Sequence, residues 1–245
     1  MNRDTDASPS LTFCGVNKGF SDRSGKKFTL TISQFSILPA TVTALIGVNG
    51  AGKTTFLKIA AGITKPDSGD VICKENLTTA FAPEIFTLPE SLTVKEAMKA
   101  VCSMRNIPYD KAWAEQISET LQTDMDKRLE TQSKGLKQRA SLASALVSKA
   151  DLFLLDEPTS SLDPEAASRV KQAIKLVKES GCASIFTTHR LSELKGLADQ
   201  VLFLDSGKII FSGTPEEFLS HSKNGDPEES FKNILNTNKN HETVN

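Results

Sequence analysis

The stretch Gly47-Val48-Asn49-Gly50-Ala51-Gly52-Lys53-Thr54-Thr55 decides the fold, because it fits G-x-x-x-x-G-K-[ST] at every fixed position. It follows a β-forming run, Thr41–Ile46, and precedes an apolar helical pattern that begins at Phe56. A strand, a glycine-rich loop and a helix in this order form the context in which the pattern binds phosphate. An ordinary glycine-rich turn is the other interpretation, and this context disfavours it. We therefore predict a nucleoside triphosphate site.

The residues of this loop supply two kinds of group to a triphosphate. The glycines let the backbone curl, so that successive N–H groups point at phosphate oxygens near the positive end of the following helix. Lys53 supplies a positive charge for the β- and γ-phosphates, and the Thr54 hydroxyl is placed to ligate Mg²⁺. The predicted triphosphate-binding residues of the loop are Gly47, Asn49, Gly50, Ala51, Gly52, Lys53, Thr54 and Thr55.

The composition excludes several classes of protein. With 29 basic and 30 acidic residues the net charge is −1, which gives no support to nucleic-acid binding through bulk charge. No apolar run approaches the ~20 residues that cross a membrane, and the polar N-terminus has no signal-type apolar segment. The four cysteines lie far apart, and we interpret them as buried, reduced side chains and not as metal ligands or disulfides.

The pattern of apolar residues predicts an α/β fold with a helical insert at about 89–132. Three strands precede the phosphate loop, so an antiparallel β portion is expected beside the core, and helices and strands alternate after Ala140 as in a parallel sheet. We expect flexible tails at 1–10 and 221–245. The predicted strands are Leu11–Val16, Phe28–Phe35, Val42–Ile46, Leu152–Leu155, Ala183–Thr187 and Gln200–Leu204, and the predicted helices include Val94–Met104, Ala112–Leu121, Pro164–Glu179 and Leu191–Leu197.

A second chemical feature is the apolar run Leu152–Leu155 followed by Asp156 and Glu157. An apolar strand places such residues at its carboxyl end, where ligands bind in open α/β sheets. We predict that Asp156 holds the water shell of Mg²⁺ and that Glu157 polarises the attacking water as a general base. An acidic cap on a buried strand is the alternative, which the phosphate loop disfavours.

The segments Gly47–Thr55, Asp156–Pro164 and Thr187–His189 together resemble the nucleotide-binding subunits of ATP-binding cassette (ABC) transporters. The resemblance covers residues 11–217, which we expect to form one cassette domain, a P-loop NTPase core of the ABC ATPase fold. It implies that two subunits enclose two ATP molecules. Each site is then completed by the signature segment of the opposite subunit.

Three further roles come from the resemblance. Ser160–Asp163 matches the loop that links the two sites, His189 matches the histidine that contacts the γ-phosphate, and Phe20 falls where the family has an aromatic residue that stacks on adenine. On the residues alone, the alternative for His189 is a capping histidine in a strand–helix turn, which its place 33 residues after Asp156 and behind a β-rich run disfavours. Phe20 is likewise a core residue or a loop anchor.

The signature segment departs from the usual Leu-Ser-Gly-Gly-Gln, since it is Gln132-Ser133-Lys134-Gly135-Leu136 here. Ser133 and Gly135 remain, and a hydroxyl and backbone amides at a helix start bind phosphate, so we predict both as ATP-binding residues. Lys134 adds a positive charge near that anion or turns to solvent. The Ser-Lys-Gly version resembles the branch of multidrug and antibiotic-resistance exporters whose ATPase is a separate chain, which indicates export.

Glu84 is the second departure, because the family usually has a glutamine here that senses Mg²⁺ and connects to the membrane partner. A carboxylate also ligates Mg²⁺, so we predict Thr54, Glu84 and Asp156 as the metal-binding residues. Its charge would cost about 4 kcal/mol against one other negative charge at ~4 Å and a dielectric constant of ~20. The sequence therefore indicates ATP binding more firmly than fast turnover.

Because the sequence has no membrane-spanning run, a transport role requires a separate membrane protein as partner. Ile85–Leu92 is a short apolar segment on the surface that receives a cytoplasmic helix of the transmembrane subunit in the family, although its side chains also suit packing of the insert onto the core. We predict a separate permease, a second ATPase subunit and a peripheral location on the cytoplasmic face of the cell membrane. The permease would set the substrate.

Two other functions are alternatives to transport. A soluble ABC ATPase in assembly or repair, for example in iron–sulfur assembly, is disfavoured by the exporter-like signature and the compact cassette without a coiled-coil or zinc insertion. A P-loop kinase needs an acceptor site and a lid, and does not explain Ser133–Gly135 or Ser160–Asp163.

Overall fold

The computed structural model describes residues 8–21, 27–84 and 88–242, and within them one mixed sheet of nine strands. The strands are β1 (Leu11–Ser21), β2 (Lys27–Ile37), β3 (Val42–Gly47), β4 (Ser68–Cys73), β5 (Thr79–Ala82), β6 (Leu152–Leu155), β7 (Ala183–Thr187), β8 (Gln200–Asp205) and β9 (Lys208–Gly213). Their order across the sheet is β4-β1-β2-β9-β8-β3-β7-β6-β5.

The core of the sheet is parallel, as the alternation of helices and strands predicts. β3 pairs with β7 and β8, and β6 pairs with β5 and β7, all in parallel. Every residue of β3, β6 and β7 is buried, which is typical of parallel strands covered on both faces. Parallel pairing brings the carboxyl ends of these strands to one edge of the sheet.

The predicted antiparallel portion is part of the same sheet. β1 pairs with both β2 and β4 in antiparallel fashion, and β8 pairs with β9 in the same way. A parallel bridge between Thr31 and Lys208 joins β2 to β9. The strand β3, which leads into the phosphate loop, therefore lies inside a continuous sheet.

The helices cover both faces of this sheet. They are α1 (Lys53–Ala60), α2 (Val94–Met104), α3 (Lys111–Leu121), α4 (Lys134–Leu146), α5 (Pro164–Glu179), α6 (Pro215–Leu219) and α7 (Pro227–Glu242), with 3₁₀ turns at Leu129–Thr131 and Leu191–Glu193. β3 shows the two faces directly, because Ala44 and Ile46 join one apolar cluster and Leu45 joins the other. No described helix combines the length and the apolar character needed to span a membrane.

The expectation of a helix over Leu191–Leu197 is wrong. Only a 3₁₀ turn forms at Leu191–Glu193, and Gly196 has φ of +77°. A left-handed residue interrupts a right-handed helix, and the Glu193 carboxylate bonds to two threonine side chains nearby. Tertiary contacts therefore set this segment, whereas its apolar spacing indicated a helix.

The expectation of a flexible tail from His221 also differs from the structure, which has α7 at Pro227–Glu242. Phe231 stacks on Phe203 of β8 with ring centroids 4.3 Å apart, and Ile234 is buried. Phe231 and Ile234 lie three positions apart on one side of a helix that is otherwise polar, so the composition of the segment did not indicate its apolar stripe. Of the predicted N-terminal tail, residues 1–7 lie outside the described residues, whereas Ser10 is buried and its N–H donates to the Ile37 carbonyl at 2.7 Å.

Candidate nucleotide site

A cleft of about 640 Å³ opens where the phosphate loop meets the carboxyl ends of β6 and β7. It brings together most of the residues predicted from sequence, although they are separated by up to 169 positions between Phe20 and His189. The residues that line it are Phe20, Phe28, Asn49, Gly50, Gly52, Lys53, Thr54, Thr55, Glu84, Asp156, Glu157 and His189. Of the other loop residues, Gly47 ends β3 and Ala51 is buried beneath the loop.

Glycine is required at two positions of the loop for physical reasons. A Cβ atom at Gly47 would lie 2.2 Å from the Leu204 carbonyl oxygen, so a larger residue would push the loop away from β8. Gly52 has φ of +107°, and a Cβ atom there would lie 2.9 Å from the Phe28 ring. The loop can therefore curl tightly over the start of α1, as the sequence pattern predicts.

Lys53 is the cation of this loop. Its Nζ atom donates to the carbonyl of Gly47 at 2.8 Å and to that of Val48 at 3.3 Å, so the side chain folds back over the loop. Burial lowers the pKa of the Lys53 amine, while the charges of Glu157 and Asp156 act in the opposite direction. An anion in the cleft would favour the charged form.

Asp156 anchors a network of hydroxyl groups at the end of β6. It is 7% exposed, and its two carboxylate oxygens accept hydrogen bonds of 2.7 Å from the hydroxyls of Thr54 and Thr187. A threonine hydroxyl and a carboxylate in contact are the oxygen ligands that Mg²⁺ uses. Within 8–21, 27–84 and 88–242 no cluster of three or more His, Cys, Asp or Glu side chains is built to hold a metal by itself. This donor set therefore fits Mg²⁺ that is shared with substrate phosphates.

Glu157 adopts an uncommon backbone conformation, with φ of +48°. Its N–H donates to the Thr187 hydroxyl at 2.7 Å, and its carbonyl accepts from the Ser160 N–H at 3.0 Å. Non-glycine residues held in this region concentrate at functional sites, because the surrounding contacts must impose the conformation. The turn directs the Glu157 side chain into the cleft.

A carboxylate–imidazole pair forms in the cleft. Glu157 Oε2 lies 2.8 Å from His189 Nδ1, and the two side chains are 14% and 59% exposed. A carboxylate beside an imidazole at the edge of a phosphate loop can accept a proton from water, and the exposed imidazole can face a terminal phosphate. The capping interpretation of His189 does not describe this contact.

Glu84 lies between the cleft and a smaller cavity of about 170 Å³ that Lys134 also lines. The carbonyl of Ala82 accepts a hydrogen bond of 2.8 Å from the Asp156 N–H, which ties this segment to the end of β6. Asp156 lines both spaces with Glu84. The position of Glu84 is therefore compatible with the predicted approach to a metal ion.

Ser133 and Gly135 are the predicted binding residues beyond the phosphate loop that do not line the cleft. Ser133 caps α4, accepting from the Leu136 N–H at 3.4 Å, and it is exposed together with Lys134. The loop Ser160–Asp163 ends at Asp163, which caps α5. None of these residues lines the cleft.

Sequence reasoning missed Thr187 and Phe28. Thr187 contacts both Asp156 and the Glu157 N–H, and its signal was a polar residue ending an apolar strand. Phe28 pairs with Phe20 across β1 and β2, with ring centroids 6.5 Å apart, which gives the cleft an aromatic wall. Residues 85–87 of the apolar segment Ile85–Leu92 lie outside the described residues, whereas Leu88 and Leu92 pack against the core, as one of its two interpretations requires.

Comparison with known proteins gives one consistent family. The chain matches the family model described as "ABC transporter" over residues 30–160. The zinc import ATP-binding protein ZnuC of Rickettsia bellii (strain RML369-C) is 33% identical over 217 residues, which cover 87% of this chain and 90% of that protein. The linearmycin resistance ATP-binding protein LnrL of Bacillus subtilis (strain 168) is 30% identical over 211 residues, or 80% of this chain and 68% of that protein.

A solved structure described as "Structure of ATP binding subunit of ABC transporter" shares the fold. It superposes with a TM-score of 0.76 at 22% identity and covers 92% of this chain and 99% of that chain. The predicted α/β cassette is thereby confirmed. From its family model, its relatives and its fold, the chain belongs to the ATP-binding subunits of ABC transporters, and it is an ATPase.

Proposed function

We propose that this subunit hydrolyses ATP at sites shared with a second ATPase subunit, and that the closure of the two subunits drives export through a separate permease. The observation that carries the proposal is the position of Ser133 and Gly135. They lie at the start of α4, and neither lines the cleft that contains Lys53, Glu157 and His189. A cleft without its signature segment needs that segment from another chain.

Seven side chains of the cleft have a role in this proposal. Lys53 and the loop amides hold the phosphates, Phe20 stacks on adenine, and Glu157 accepts a proton from the attacking water. His189 contacts the γ-phosphate and is oriented by Glu157 through their 2.8 Å contact. Mg²⁺ would be held by Thr54 and Asp156, with Glu84 nearby, and it neutralises charge on the phosphate oxygens.

Dimer closure follows from where the two halves of the site lie. The Ser133 hydroxyl and the amides at the start of α4 supply donors to the γ-phosphate bound in the partner's cleft. ATP that bridges two subunits stabilises the dimer in proportion to its affinity for the closed form. Hydrolysis removes the bridge and lets the subunits separate.

The direction of transport is proposed from the signature segment. Ser133-Lys134-Gly135 resembles the exporter branch, and the linearmycin resistance protein is a relative. Relatives named for import are at least as similar to this chain, since the zinc protein is 33% identical and the linearmycin resistance protein 30%. Export therefore rests on Lys134 and its neighbours and not on overall identity. The proposed location is the cytoplasmic face of the membrane, where a permease would bind the subunit.

Two measurements test this proposal. The first is co-purification from membranes with any membrane protein that a neighbouring gene encodes. A subunit that stays in the soluble fraction with every such protein would favour a soluble assembly or repair role. The second is growth of a strain that carries Lys53→Ala in place of the parent gene. Export predicts lower tolerance of antibiotics and other toxic compounds, whereas import predicts poor growth on one limiting nutrient.

A further inference from the structure

Glu193 is a buried acidic residue that the site described above does not use. It lies in the 3₁₀ turn Leu191–Glu193, four positions after His189, and it is 4% exposed. A buried carboxylate is unfavourable unless hydrogen bonds compensate for its lost hydration. In the part of the chain that the structure describes, no basic side chain forms an ion pair with it. Hydrogen bonds from hydroxyl groups, and not an ion pair, therefore compensate for the lost hydration of this carboxylate.

Two threonine hydroxyls donate to the same oxygen of Glu193. The Thr188 hydroxyl lies 2.7 Å from Oε2 and the Thr159 hydroxyl lies 3.1 Å from it. All three side chains are buried. Hydrogen bonds to a charged acceptor are stronger than those between neutral groups, so these two bonds hold both threonine side chains firmly to Glu193.

The two threonines belong to different loops of the site. Thr188 directly precedes His189, and its hydroxyl also accepts from the Arg190 N–H at 2.9 Å. Thr159 lies two positions after Glu157, in the turn that the Ser160 N–H closes on the Glu157 carbonyl. Glu193 thus ties the turn that carries the carboxylate of the pair to the turn that carries its imidazole.

We infer that Glu193 is a positioning residue for ATP hydrolysis, which holds His189 and Glu157 in register through Thr188 and Thr159. This inference rests on the proposed roles of Glu157 and His189. In this inference Glu193 affects the rate of hydrolysis as well as the stability of the fold, because a displacement of about 1 Å in a catalytic pair can cost about 10²-fold in rate. Substrate binding should not depend on it, since the phosphate loop and Lys53 lie on other elements.

The experiment compares Glu193→Ala with Glu193→Gln, with the exposed Glu179→Ala on α5 as a matched control. We expect Glu193→Ala to lower kcat by about 10²-fold while the affinity for MgATP stays near that of the parent protein. The glutamine side chain keeps an oxygen that can accept both hydroxyls, so Glu193→Gln should retain most of the parent kcat. Thermal unfolding of each variant measures any structural effect separately.

A double-mutant cycle with His189→Ala tests whether Glu193 acts through the pair. If it does, Glu193→Ala should lower kcat by a smaller factor in that background than in the parent protein, because only its effect on Glu157 remains, whereas independent effects would multiply. If Glu193→Ala does not fold, Thr159→Val and Thr188→Val replace it and should lower kcat with unchanged MgATP affinity. Each removes one hydrogen bond to Glu193, and Thr188→Val also removes the acceptor of the Arg190 N–H.

The outcomes separate this inference from the proposed site. Parent-like kcat in folded Glu193→Ala, or in both valine variants, overturns the positioning role, as do multiplicative effects in the cycle. A lower unfolding temperature with unchanged kcat has the same meaning, because it shows a structural role alone. Failure of the proposed site would appear differently, as parent-like hydrolysis in Glu157→Gln and His189→Ala.

Discussion

Replacing Glu157 with glutamine should remove most hydrolysis and keep ATP binding. The amide has the shape of the carboxylate, so the contact with His189 and the backbone bond to Thr187 can persist. What is lost is the ability to accept a proton from water. Loss of a general base is worth about 10²–10⁴ in rate, which corresponds to about 2.7–5.5 kcal/mol in the activation barrier.

The structure limits how much of this loss can come from misfolding. Glu157 is only 14% exposed, yet its turn is fixed by backbone groups at φ of +48° that the substitution does not remove. The free energy of unfolding should therefore change little. The exposed Glu179→Gln on α5 is the matched control, since it makes the same chemical change far from the cleft.

The assay is phosphate release under saturating MgATP, with equilibrium ATP binding measured on the same sample. Because ATP is bound but not consumed, the variant should also shift towards a dimer in sedimentation when ATP is added. Hydrolysis by Glu157→Gln at the parent rate would remove Glu157 from the mechanism. Loss of ATP binding would instead assign it to substrate binding.

Three further changes test other parts of the account. Glu84→Gln should lower the Mg²⁺ concentration for half-maximal hydrolysis, because it removes a negative charge near the phosphates; complete loss of activity would make Glu84 itself a catalytic carboxylate. Gly47→Ala should weaken ATP binding, measured at equilibrium, since its Cβ atom would meet the Leu204 carbonyl oxygen at 2.2 Å; parent-like binding would contradict this. Phe231→Ala should lower the free energy of unfolding by at least about 1 kcal/mol in a denaturant titration, because it removes the stack on Phe203; an unchanged midpoint would mean that α7 adds no stability.

Elements with strong apolar patterns and clear ends could be predicted from sequence. α2 begins after Thr93, which forms a capping box with Glu96, and α5 begins after the cap Asp163, so both were predicted with the observed bounds. β4 was missed because it is largely exposed and lies at the edge of the described sheet, next to β1. α7 was missed because its polar composition dilutes a narrow apolar stripe.

Some residues of the candidate site could also be predicted from the sequence, whereas others could not. The phosphate loop is contiguous, so its residues could be predicted together, and Asp156 and Glu157 follow directly from the end of an apolar strand. Thr187 and Glu193 depend on which strands are neighbours. The pairing of β6 with β7 brings Thr187 beside Asp156. A single amino-acid sequence does not show which strands are neighbours, so this contact could not be predicted from it.

The most direct test of the central claim is equilibrium binding and hydrolysis of MgATP by the parent protein and by Lys53→Ala. Lys53 is the cation that folds over the phosphate loop, and removal of its amine should leave the fold intact. The account predicts that the parent protein binds and hydrolyses MgATP and that folded Lys53→Ala does neither. Equal MgATP affinity in the two proteins would contradict the assignment of residues 47–55 as the triphosphate site.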